Sequence, residues 1–129
     1  MLTANKGQDN VSVLLNSGGG SFSTHVEYGA GNGPDSMVVA DFDLDGKPDV
    51  AVADFYTDAV SILTGDGSGT LAACPTNTSS CEYHAGDGPI SLVSDKLNND
   101  VKPDIVVVDQ NSGSITILLN TTCPPNQCC

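Results

Sequence analysis

Short apolar runs recur along the chain, and each ends in Gly, Asp or Asn. Val50-Ala-Val-Ala is the densest of them, bounded by Asp49 and Asp54. Its small and β-branched residues read as a strand buried on both faces. Val11-Ser-Val-Leu-Leu, Val60-Ser-Ile-Leu and Ile115-Thr-Ile-Leu-Leu follow the same pattern. Glycine-rich stretches such as Gly65-Asp-Gly-Ser-Gly69 mark the turns, because glycine accepts the positive φ they need. The composition agrees with strands throughout. Arg is absent, Glu occurs twice, and 14 Gly and 7 Pro punctuate the chain. The expected class is all-β.

The runs belong to an internal repeat, which organises everything else. Glu27-Tyr-Gly-Ala-Gly-Asn-Gly-Pro34 returns as Glu82-Tyr-His-Ala-Gly-Asp-Gly-Pro89, an offset of 55 from Pro34 to Pro89. Lys47-Pro48-Asp49 returns as Lys102-Pro103-Asp104 at the same offset of 55. Val11–Asn16 returns at Val60 and again at Ile115, with spacings of 49 and 55. The longer spacing holds a segment flanked by Cys74 and Cys81. The full unit is residues 35–89, with strands expected over residues 36–40, 49–54 and 59–64 and near 81–84. Residues 1–34 form a unit lacking its first strand, with residues 1–5 aligning on 50–54. Residues 90–120 form one lacking its fourth strand. One repeat domain thus covers 1–120, and a Cys-rich tail covers 121–129.

The stretch Asp41-Phe-Asp43-Leu-Asp45-Gly46-Lys47-Pro-Asp49 carries the chemistry. Carboxylates at loop positions 1, 3 and 5, a glycine at 6, a carbonyl at 7 and a carboxylate at 9 suit Ca²⁺, which accepts many hard oxygen ligands in a flexible shell. Without a cation, four Asp within nine residues repel one another. The loop is not an EF-hand, since position 12 is Val52 rather than Glu. The second copy, Lys96-Leu-Asn98-Asn-Asp100-Val101-Lys-Pro-Asp104, has Lys at position 1 and Val at position 6. Asn98, Asp100 and Asp104 are therefore expected to form an empty loop. The Lys96 ammonium is expected to replace the cation beside Asp100 and Asp104.

Net charge excludes several classes. Sixteen acidic groups against four Lys leave the chain at −12, which excludes nucleic acid, where cationic side chains must neutralise phosphates. It also opposes docking on anionic lipid, and no apolar run is long enough to insert into a bilayer. The first six residues have no apolar signal core, so either a leader was removed or the chain is a fragment. The cysteines Cys74, Cys81, Cys123, Cys128 and Cys129 are odd in number. A Cys74–Cys81 bridge, one bridge within the tail and one thiol left for another chain is the expected arrangement. A zinc site with His25 or His84 is disfavoured, because no Cys-x-x-Cys pair exists. Sequons at Asn10, Asn77 and Asn120 join the cysteines in pointing to an extracellular or cell-surface setting.

These residues resemble FG-GAP/VCBS-type repeats, the units of the integrin α-subunit β-propeller and of many secreted proteins. The likeness rests on Phe22, Gly29–Pro34, the Asp41–Asp49 loop, Val50–Asp54 and Val60–Leu63. It implies tandem four-stranded antiparallel propeller-type blades, about two units in all, incomplete at both ends. It also implies Ca²⁺ held by Asp41, Asp43, Asp45, the Lys47 carbonyl and Asp49.

Propellers close with several blades, so this chain cannot close a ring alone. Unburied blade faces and strand edges imply partners. The expected function is a non-enzymatic, calcium-binding extracellular module. It self-associates as a homo-oligomer or filament through faces, edges and tail cysteines, as the subunit of a fibre or ring. The alternative is a fragment of a closed propeller that binds carbohydrate or protein in adhesion. Tyr28, Tyr56 and Tyr83 are the candidate stacking residues, though Tyr28 and Tyr83 fall at repeat positions and read as packing. Catalysis is not expected, because His25 and His84 do not fall at matching repeat positions and no Gly-x-Ser-x-Gly elbow occurs.

Overall fold

The computed structural model describes residues 1–72 and 81–121. Cys74, Cys123, Cys128, Cys129 and Asn77 lie outside the described residues. Thirteen strands make up the described chain: β1 (Leu2–Asn5), β2 (Asn10–Val13), β3 (Asn16–Gly18), β4 (Ser21–Phe22), β5 (Val26–Gly29), β6 (Pro34–Ala40), β7 (Asp49–Asp54), β8 (Ala59–Gly65), β9 (Leu71–Ala72), β10 (Glu82–His84), β11 (Pro89–Asp95), β12 (Asp104–Asp109) and β13 (Ser114–Leu118). The chain is all-β.

Three sheets carry the repeat. The first is β1-β2-β5, the second β10-β8-β7-β6, the third β11-β12-β13, with every pairing antiparallel. The second sheet is the complete four-stranded blade, and the short β9 extends it by pairing the end of β8. The β3–β4 hairpin stands apart. Neither it nor β9 was expected from the repeat, because both are too short to show an apolar pattern. The expected first strand also lengthens, beginning at Pro34 rather than at Ser36.

Register decides which side chains meet. Leu2 faces Val13, and Ala4 faces Val11, so the four share one side of the first sheet. That side packs on Met37, Val50, Val52 and Leu63 of the second sheet. The opposite side of the second sheet carries Val38, Ala51, Ala53, Val60 and Ile62. It packs in turn on Leu92, Ile105, Val107 and Leu118 of the third. Strand β7 is sandwiched between these two cores and is buried along its whole length, which is why its run carries valine and alanine rather than alternating polar residues.

The β-turns between the second and third strands of each unit repeat too. Asp9 (φ 54°), Asp58 (φ 53°) and Gly113 (φ 62°) occupy the left-handed position of the three copies. Asp tolerates that region better than most side chains. Asp9 Oδ1 accepts the Gly33 N–H at 2.9 Å, and Asp58 Oδ1 accepts the Gly88 N–H at 2.9 Å. Each turn is thereby tied to the segment that enters the next sheet.

Candidate metal centre

The loop between β6 and β7 is built around Asp49. Its carboxylate is fully buried. Oδ2 accepts the Phe42 N–H at 2.8 Å and the Asp43 N–H at 3.3 Å, while Oδ1 accepts the Gly65 N–H at 2.8 Å. One side chain thus fastens the start of the loop to the end of β8. Phe42 drives the same closure from the other side, buried in the core between the second and third sheets. The remaining turns are local. Asp45 N–H donates to Asp41 Oδ1 and to Asp43 Oδ1, each at 3.0 Å, and Gly46 N–H donates to Asp41 Oδ2 at 2.9 Å. Gly46 has φ 86°, and Leu44 has φ 63°, so the curl runs through the left-handed region twice.

This curl brings carboxylate oxygens of Asp41, Asp43 and Asp49 within 4.8 Å of one another. Burial pushes the Asp43 carboxyl up from its ordinary value, and the charges of Asp49, Asp45 and Asp41 push it further, against the Asp45 N–H. Asp45 stands outside the trio. Its Oδ2 lies 2.7 Å from Lys47 Nζ, and this contact lowers the Asp45 carboxyl and raises the Lys47 ammonium. Three hard, negatively charged oxygen donors converging at this spacing fit a divalent cation such as Ca²⁺. Both oxygens of Asp41 and both of Asp49 already accept backbone N–H groups, so each carboxylate has only its spare lone pairs to offer.

The second loop keeps the fastening and loses the convergence. Asp104 is as buried as Asp49. It accepts the Leu97 N–H at 2.9 Å and the Asn120 N–H at 2.8 Å. These bonds, the Asn120 N–H foremost, hold its carboxyl below the usual range. Asn98 Oδ1 accepts the Asp100 N–H at 3.1 Å, and Asp100 Oδ1 accepts the Lys102 N–H at 2.9 Å. Val101 does not enter the positive-φ region that Gly46 occupies. The expectation that the Lys96 ammonium pairs with Asp100 and Asp104 is not met among the described residues, where ion pairs form at Lys6–Asp35, His25–Glu27 and Lys47–Asp45. Backbone N–H groups neutralise Asp104 instead.

The other expected site residues are dispersed. Cys81 is disulfide-bonded. Asn10 Oδ1 accepts Asn5 Nδ2 at 2.7 Å on the first sheet. Asn120 Nδ2 donates to the Phe42 carbonyl at 2.8 Å, using the nitrogen a glycan would occupy. Tyr28 packs against the first core, as its repeat position suggests. Tyr83, at the same repeat position, is half exposed and lines a cavity of about 300 Å³ with Phe42, Ile62, Ile105 and Leu118.

One network was not anticipated. Ser61 Oγ donates to Asp54 Oδ2 and accepts the Gly31 N–H at 3.1 Å. Thr116 Oγ1 donates to Asp109 Oδ2 at 2.7 Å and accepts the Gly86 N–H at 3.0 Å. In the first sheet the pair is Asn5 and Ser12, joined at 2.7 Å. Asp54 and Asp109 are fully buried, and the Oδ1 of each has no hydrogen-bond partner. Burial, with the Glu82 charge adding to it, pushes the Asp54 carboxyl up to about 7. The 49- and 55-residue offsets were the signal that could have found this set.

The family model of the FG-GAP-like repeat matches residues 1–52. That stretch runs from β1 through the Asp loop into β7. The chain is also similar to the phosphatidylinositol-glycan-specific phospholipase D of Bos taurus, 32% identical over 80 residues, which cover 56% of this chain. The match spans only 10% of that relative's length. No solved structure matches the chain. The FG-GAP-like repeat is a non-catalytic structural module, and no helix among the described residues is long and apolar enough to cross a membrane. The match over residues 1–52, about two fifths of the chain, and a strand pattern that recurs through all three sheets make this chain similar to FG-GAP/VCBS-type repeat proteins.

Proposed function

We propose that this chain is a non-enzymatic, calcium-organised β-repeat module that works outside the cell, as a self-associating structural subunit. The convergence of Asp41, Asp43 and Asp49 within 4.8 Å carries the reading. Ca²⁺ at that point draws the loop together at one end of the second blade, the blade that both other sheets pack on. The disulfide-bonded Cys81 and the sequons support an oxidising, extracellular setting. The apolar side of the third sheet supports association, since it stays open to solvent. Electron microscopy and sedimentation of the full chain, with Ca²⁺ and with a chelator, test this. Assemblies in Ca²⁺ that weaken in chelator are expected; single small particles in both conditions contradict it.

The cavity beside Tyr83 favours a second reading, a ligand-binding propeller segment that recognises carbohydrate or protein. Its apolar lining with one tyrosine hydroxyl and the nearby Asp43 suits a sugar face. Specific retention on a glycan array, lost in Tyr83→Ala, is the outcome this reading requires.

A further inference from the structure

The metal loop is held from outside as well as from within. Phe42 precedes Asp43, one of the three converging carboxylates. The peptide unit that joins them is hydrogen-bonded on both sides. Its N–H, that of Asp43, donates to Asp49 Oδ2 at 3.3 Å, and its carbonyl, that of Phe42, accepts from Asn120 Nδ2 at 2.8 Å. The first bond is made inside the loop. The second comes from the end of the third sheet, 78 residues further along the chain. Asn120 is itself anchored, because its N–H donates to Oδ1 of the buried Asp104 at 2.8 Å. A side chain fastened to the second loop thus sets the tilt of the peptide from which Asp43 leaves the first.

Comparison with the second unit separates the two jobs of this position. At the 55-residue offset the counterpart of Asn120 is Gly65, whose N–H makes the matching bond to Asp49 Oδ1 at 2.8 Å. A Cβ at Gly65 would run into the Pro48 carbonyl, so only backbone fits there. The third unit carries a carboxamide instead. Its N–H₂ group supplies the donor that a carbonyl needs, which a hydrocarbon side chain of the same shape lacks. Phe42 makes a second link between the same two parts. Its ring is 6% exposed and is buried in one core with Leu92, Ile105 and Val107 of the third sheet. Ring and carbonyl of one loop residue therefore both depend on the third sheet, while its N–H donates to Asp49 Oδ2 at 2.8 Å.

We infer that Asn120 is a positioning residue for the metal loop. Its amide orients the Phe42–Asp43 peptide so that the Asp43 carboxylate meets those of Asp41 and Asp49, and ion binding in the loop and docking of the third sheet reinforce each other. This rests on the calcium reading proposed above. The reinforcement runs both ways by linkage: a docked third sheet tightens ion binding, and the ion tightens docking by the same factor. The Asn120 amide is also the group that the sequon Asn120-Thr-Thr122 offers to a glycan, so clasp and glycan anchor are alternative roles for this side chain.

Calorimetric Ca²⁺ titration of the full chain, secreted from a glycosylating host, tests this with Asn120→Ala, Asn120→Leu and Thr122→Ala. Both Asn120 variants keep the backbone N–H that bonds Asp104, and leucine also keeps the shape of the side chain. Thr122→Ala destroys the sequon and spares the amide. Thermal melts monitored by circular dichroism establish that each variant is folded. The Asn120 variants are expected to raise the Kd for Ca²⁺ at least about fivefold, while Thr122→Ala leaves it unchanged. Hydrogen exchange gives a second readout: Ca²⁺ should slow exchange of the β12 and β13 amides in the parent, and slow it less in Asn120→Leu. An unchanged Kd in both Asn120 variants, even with lowered melting temperatures, overturns the inference and leaves a merely structural bond. Equal weakening by Thr122→Ala and Asn120→Leu overturns it in favour of a glycan. A parent chain that binds no Ca²⁺ overturns the calcium reading, and this inference with it.

Discussion

The backbone of Gly31 closes directly over the buried carboxylate of Asp54. A Cβ built at Gly31 would run into the Asp54 side chain, and the pair recurs as Gly86 and Asp109, where the added atom would lie 2.6 Å from Asp109 Oδ2. Both glycines have ordinary negative φ, so space, not conformation, requires them. Each glycine N–H also donates to the Ser61 or Thr116 hydroxyl that holds the same carboxylate. Gly31→Ala must therefore part the strand-entry segment from β7 and break the network at once. We expect a loss of about 2–4 kcal/mol, read by urea denaturation. A loss below about 0.5 kcal/mol contradicts this packing.

Asp54 makes stability depend on pH. Its folded carboxyl titrates near 7, raised by burial and then by the Glu82 charge, against about 4 in the unfolded chain. Below pH 4 both states hold the proton, and the group costs nothing. Between about 4 and 7 the unfolded chain ionises while the folded chain stays protonated, so stability falls as pH rises. Asp54→Asn removes this slope, and Asn5 shows that an amide fits the same place opposite a serine. The expected gain at pH 8 is about 2–4 kcal/mol, shrinking toward zero at pH 4. A variant whose stability tracks the parent at every pH shows that Asp54 does not carry this proton.

Gly46 serves the curl of the metal loop. Its φ is 86°, and a methyl group added there would meet nothing within 4 Å, so Gly46→Ala adds backbone strain alone. A cost of about 1 kcal/mol is expected in chelator. In Ca²⁺ the cost grows, because the strain opposes the geometry that binds the ion. Equal stability of Gly46→Ala and parent in both conditions argues against the curl being needed.

Asp58 locks the turn before the third sheet. Asp58→Ala deletes the acceptor of the Gly88 N–H and places alanine at φ 53°. The loss should be about 1–2 kcal/mol. Asp58→Gly keeps the backbone relaxed, as Gly113 does in the third unit, and recovers part of it. The difference between the two variants in thermal melts separates strain from the hydrogen bond.

The sequence reveals the fold wherever a strand repeats. Val50-Ala-Val-Ala reads as buried on both faces, and β7 is sandwiched between two cores. The Asp41–Asp49 spacing reads as a cation loop, and three of its carboxylates converge. What the sequence conceals is the division of labour among those carboxylates. Asp49 reads from its position as a ligand alone, yet it also fastens the loop through backbone N–H groups, and Asp104 keeps that fastening in the loop expected to be empty. Spacing records where a carboxylate falls, whereas hydrogen bonding depends on which strand end lies opposite, and Gly65 and Asn120 are 16 residues further on. Asp54 and Asp109 escape notice for a related reason. Read along the chain, each is a polar residue ending an apolar run, and nothing local shows that Gly31 or Gly86 will close over it.

Calcium titration of the purified chain tests the central claim most directly. Isothermal calorimetry, paired with thermal melts in Ca²⁺ and in chelator, should show one binding event and a melting temperature that rises with Ca²⁺. At a hundredfold excess over Kd the stabilisation is about 2.7 kcal/mol. Asp41→Ala and Asp43→Ala should abolish both signals, while Asp100→Ala, in the second loop, leaves them intact. No heat of binding at millimolar Ca²⁺, with identical melts in Ca²⁺ and chelator, would contradict the account.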